Sequence, residues 1–92
     1  MKEKIVTTGI ITDLSTERKY VLSGVKQHNN HIDGGNGYCL VIRDDINLPL
    51  QYILTLVTEV SYKGSVANKT ERLVIANLKD FIYEGREYID GK

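Results

Sequence analysis

Apolar residues in this chain arrive in short bursts, each closed by a polar stretch that usually carries glycine. Lys4 to Thr12 (KIVTTGIIT) is rich in β-branched side chains and predicts a strand. Gly9 inside it predicts a bulge, a bend or a close backbone approach. The polar run Asp13 to Arg18 predicts a turn, and Lys19 to Lys26 (KYVLSGVK) predicts the returning strand, again with an internal glycine at Gly24. Two paired strands that each carry a mid-strand glycine point to a strongly curved sheet.

Gln27 to Gly37 (QHNNHIDGGNG) is the polar centre of the chain, with Ile32 its only aliphatic residue. Its composition predicts a long connection, the kind of segment in which function concentrates. Tyr38 to Arg43 (YCLVIR) is a nearly continuous apolar run and predicts a central strand. Asp44 to Pro49 breaks the pattern. Leu50 to Tyr62 fits two templates. Leu50, Ile53, Leu54, Val57 and Val60 would share a helical face, whereas Tyr52, Leu54, Leu56, Thr58, Val60 and Tyr62 would share a strand face. The β-branched residues Thr55, Val57, Thr58 and Val60 favour the strand. Lys63 to Thr70 predicts a second polar loop and Glu71 to Leu78 a strand. Lys79 to Ile89 predicts either a short helical turn ended by Gly85 or a small hairpin.

The resulting fold expectation is all-β: a small antiparallel barrel or strongly curved sheet of five to six strands, forming one domain over residues 1–92. The alternative is α+β, a curved antiparallel sheet with one helix near residues 48–61. Composition agrees with a strand-rich domain, for the chain has six tyrosines, one phenylalanine and no tryptophan.

Charge narrows the choice of partner. Twelve basic residues balance twelve acidic ones, and no basic run stands out, so nucleic acid is a disfavoured partner. Zero net charge weakens repulsion between copies and favours self-association. Tyrosine, enriched at interfaces, points the same way. No apolar run approaches the ~20 residues of a membrane helix, and the first residues lack the apolar core of a signal peptide. A cytoplasmic location and no membrane partner are therefore expected. The single cysteine, Cys39, cannot form an internal disulfide.

The candidate chemistry centres on the 27–37 segment. His28, His31 and Asp33, with Cys39 nearby, supply ligand types for a transition metal, but no second ligand pair accompanies them, so no metal or other cofactor is expected. A Cys-His nucleophile would need Cys39 accessible, whereas its apolar run predicts burial. Asp33-Gly34-Gly35-Asn36-Gly37 lacks oxygen ligands at the spacing of a calcium loop, and it leads into a strand-like run rather than a phosphate-binding helix. What remains is polar recognition by His28, Asn30, His31, Asp33, Asn36 and Tyr38, directed at a partner's backbone or a small polar or phosphorylated ligand. The functional expectation is a non-enzymatic binding or regulatory protein acting through protein–protein contacts as a homo-oligomer. A nucleotide-like ligand binder and a Cys-His enzyme are the alternatives.

Overall fold

A computed structural model describes residues 2–90. Among these residues seven strands follow one another: β1 (Lys2–Val6), β2 (Gly9–Asp13), β3 (Lys19–His28), β4 (His31–Asp44), β5 (Gln51–Tyr62), β6 (Ser65–Ala76) and β7 (Phe81–Glu84), with a 3-10 turn over Leu78–Asp80 before the last. All pairings are antiparallel, in the order β6-β5-β4-β3-β2-β7, and β1 adds to β4. The sheet curves strongly without closing into a barrel. The chain is all-β as expected, with one strand more than the upper expected count.

Of three departures from the sequence reading, the first two share a cause, which is that turns proved tighter than their polar surroundings suggest. The 27–37 segment is not a long loop. β3 runs to His28, Asn29 and Asn30 make a two-residue turn with φ of 50° and 60°, and β4 begins at His31. Asparagine tolerates this left-handed backbone, and such turns match the twist of paired strands. Lys63 and Gly64 likewise form a two-residue turn, so Ser65–Thr70 belongs to β6 rather than to a loop. Lys4–Thr12 is broken at Thr7 and Thr8, because β1 pairs with β4 whereas β2 pairs with β3 and β7. Leu50–Tyr62 is strand, as its β-branched content indicates.

Side-chain alternation along β4 and β5 divides the apolar residues between two cores. Leu40 and Ile42 face Val6, Ile11, Leu22, Tyr52, Leu54 and Phe81 on one side. Cys39 and Val41 face Ile5, Val25, Ile53 and Val57 on the other. Burial on both faces is why YCLVIR reads as a continuous apolar run. The first core is the larger of the two. Its margin is strapped by the C-terminal segment: the Tyr52 hydroxyl donates to the Ile89 carbonyl (3.0 Å), and the Glu87 carboxylate accepts the amides of Thr7 (3.2 Å) and Thr8 (3.3 Å) at the break between β1 and β2. The Lys4 ammonium donates to the Tyr88 carbonyl.

The second core is closed by bending β4. Gly35 has φ of +109°, and a Cβ there would stand 3.0 Å from Gly24 C, 3.1 Å from Val25 Cα, and closer still to the Gly24 carbonyl oxygen. Only glycine permits this backbone angle and this approach together. Register shifts in β3 flank the same place, between Ser23 and Val25 and between Lys26 and Gln27. The bend folds the tip of the β3–β4 hairpin across the sheet, where the Ile5 amide donates to Asn30 Oδ1 (3.2 Å) and Ile32 packs against the second core.

Candidate functional site

The six residues singled out in the sequence fall into three groups. Asn36 and Tyr38 are occupied with structure. Asn36 Oδ1 accepts the Glu59 amide at 3.0 Å, and Glu59 Oε1 in turn accepts the Gly35 amide at 2.8 Å, tying the bend in β4 to β5. Tyr38 packs edge-on against Tyr20 with ring centroids 5.3 Å apart. His28 and Asp33 are exposed on the hairpin, His28 lying opposite His31 at its end. Asn30 and His31 line a concave feature.

That feature is a cavity of about 180 Å³ between the folded hairpin tip and the face of β1, β4, β5 and β6. Ile5, Ile32, Val41 and Ile53 give it an apolar wall, and Arg43, Arg72, Glu3, Thr55 and Thr70 join Asn30 and His31 as its polar lining. Arg43 Nε and Nη2 both donate to Glu3 Oε2, at 3.3 and 3.2 Å. Thr55, buried beneath, donates to the Ile53 carbonyl at 3.2 Å. The Arg72 side chain makes no hydrogen bond or ion pair among the described residues.

A β-bulge brings Arg72 to this face. Leu54 pairs with Val74 but Thr55 pairs with Arg72, so Leu73 is the extra residue. Leu73 and Val74 both turn toward the first core, and Arg72 and Thr70 line the cavity beside the second. Bulges commonly re-aim side chains in this way. Arg43, Arg72, Thr55 and Thr70 were not singled out in the sequence because they lie on strands far apart along the chain. The one available signal was alternation in YCLVIR, which puts Arg43 on the same face as Cys39 and Val41.

Cys39 is fully buried in the second core, and burial pushes its thiol up to about 11. A thiolate is thus costly at neutral pH, and Cys39 does not line the cavity. Among the described residues no three His, Cys, Asp or Glu side chains gather as a metal site would require. The tyrosines divide: Tyr20, Tyr38, Tyr52 and Tyr83 pack against the first core, whereas Tyr62 and Tyr88 are exposed.

A second exposed feature lies at the far end of the sheet. β4 pairs with β5 only as far as Gly37 opposite Val57. Beyond that point β5 and β6 continue as a two-stranded arm, and every residue from 59 to 72 is exposed. Val60 (46% exposed), Tyr62 (70%) and Val66 (65%) lie on it, and β6 is the last strand of the sheet order. No helix of the described residues is long and apolar enough to cross a membrane. No known protein family matches the chain, and no curated protein or solved structure matches it.

Proposed function

We propose that this chain is a non-enzymatic binding module that works through protein–protein contacts, with the β5–β6 arm as its docking element and a second copy of itself as a partner. The observation that carries the reading is the arm. A two-stranded ribbon gains little stability by itself, yet this one extends past the body of the sheet with apolar side chains in water. An exposed edge strand is also a template for another strand.

The sequence of β6 suits pairing with itself. In a symmetric antiparallel register centred on Thr70, Lys69 of each copy stands opposite Glu71 of the other, so the two-fold axis generates two opposite-charge pairs. Zero net charge leaves no long-range repulsion to oppose the encounter.

Sedimentation velocity at micromolar concentration tests the proposal. The expected result is a dimer that Lys69→Glu dissociates, by setting like charges opposite Glu71 twice, and that Lys69→Glu with Glu71→Lys restores. A 10.4 kDa species alone across the micromolar range would remove self-association from the reading. A dimer indifferent to Lys69→Glu would move the interface elsewhere.

A further inference from the structure

The cavity under the hairpin tip has the charge and the walls of a ligand site. Its lining carries two arginines and one glutamate, leaving one net positive charge with His31 counted as neutral. The Arg43 guanidinium is already engaged by Glu3. The excess charge therefore resides on Arg72, which is exposed and whose side chain has no hydrogen-bond or ion-pair partner among the described residues. An arginine offers a planar fork of donors that matches a carboxylate. The rest of the lining includes Ile5, Ile32, Val41 and Ile53, which would receive only an apolar body.

Size limits that body. A cavity of about 180 Å³ is close to the ~150 Å³ that admits benzene in an engineered apolar site, and it lies below the ~300 Å³ lower end of drug-sized pockets. Charge limits the head group. A single carboxylate neutralises the one excess charge, whereas a phosphate dianion would overshoot it and press against aliphatic walls. We propose that this cavity binds a small monocarboxylate with a branched or aromatic body, its carboxylate held by Arg72 and its body against Ile5, Ile32, Val41 and Ile53.

The proposal does not rest on association through β6, and running the test on both the native chain and the Lys69→Glu variant keeps the two questions apart. The probe is benzoate, titrated against the labelled protein while backbone amides are followed by NMR. The amides of residues 30–32, 41, 43, 53, 55, 70 and 72 should shift together and saturate with a dissociation constant of about 1–5 mM, the affinity reasonable for nine heavy atoms. Benzamide, the neutral isostere, should bind at least about tenfold more weakly. Inorganic phosphate should leave these amides unmoved. Arg72→Ala should weaken benzoate by about tenfold or more, with an unchanged melting temperature because the side chain is exposed. If that variant is misfolded, the benzoate–benzamide comparison on the native chain decides alone. Absent or scattered shifts, equal binding of benzamide, phosphate binding tighter than benzoate, or full affinity in folded Arg72→Ala would each overturn the proposal.

Discussion

Replacing Gly35 with alanine tests the account of how β4 bends. The backbone angle of +109° at Gly35 carries a strain of about 1–3 kcal/mol for a residue with a side chain. The added methyl would also stand 3.0 Å from Gly24 C and 3.1 Å from Val25 Cα, where ordinary contact begins at 3.4 Å. These neighbours are backbone held in the β3–β4 ladder, so they cannot swing aside as a side-chain tip would. Overpacking of this kind costs about 1–3 kcal/mol more. Gly64 supplies the control. It too has positive φ, +81°, but an added Cβ would meet nothing within 4 Å, so Gly64→Ala should cost only about 1–2 kcal/mol of backbone strain. At ~4–8 °C per kcal/mol for a domain of this size, Gly35→Ala should melt about 5–20 °C below Gly64→Ala. Urea unfolding should show the same order in midpoint with an unchanged slope. If the two variants melt within about 2 °C of each other, the close approach to Gly24 is not what fixes the bend.

Three titrating groups extend the test to pH. The Cys39 thiol is pushed from 9.0 to about 11 by burial. The folded state therefore keeps a proton that the unfolded chain releases, and stability should hold below pH 9 and fall between pH 9 and 11. Cys39→Ala should reduce that fall without abolishing it, because burial also raises the Tyr52 hydroxyl; an unaltered alkaline profile would contradict the burial. In the native protein a thiol reagent should label Cys39 far more slowly than free cysteine, and rapid labelling would reopen the question of a reactive thiol. Asp13 shifts the other way. The Ser15 hydroxyl (2.8 Å) and amide (3.0 Å) both donate to Asp13 Oδ1 and hold its carboxyl below 3.8. Its contribution is present above pH 3.8 and is lost as pH falls through the folded value. Ser15→Ala should raise the Asp13 value in an NMR titration and make the protein less resistant to acid; an unmoved titration would refute the role given to Ser15.

The class of the fold could be read from the chain because β-branched residues and tyrosines fall where strands form. Leu50–Tyr62 shows this best, since Thr55, Val57, Thr58 and Val60 outweigh a passable helical face. The doubly buried stretch of β4 was equally visible in YCLVIR. The turns were harder to read. Asn29-Asn30 and Lys63-Gly64 are two-residue turns embedded in polar strands, and polar strands resemble loops when neither face is buried. For Ser65–Thr70 that resemblance has a physical basis, because this part of β6 lies in the exposed arm and lacks the alternation that burial imposes. The cavity was less accessible still. Asn30 and His31, singled out in the sequence, do line the cavity, but Arg72 reaches their side of the sheet only through the bulge at Leu73, and a one-residue change of register leaves no mark on composition. Nor does the sequence show that the Asn36 carbonyl oxygen accepts the Glu59 amide.

The strap across the first core sets an order of events for synthesis. Its hydrogen bonds span most of the chain: Lys4 to the Tyr88 carbonyl is a separation of 84 residues, and the Thr7 amide to Glu87 one of 80. A ribosome delivers the N-terminal end first, so β1 and the start of β2 emerge long before the side chain that satisfies the break between them. During that interval the amides of Thr7 and Thr8 can be satisfied only by water, and the hydroxyl of Tyr52 lacks its carbonyl. The β2–β3 and β3–β4 hairpins, built from near neighbours, can assemble while the chain is still growing. The sheet gains its last contacts only when Glu87 and Ile89 have left the exit tunnel, so the strap closes after the hairpins it spans.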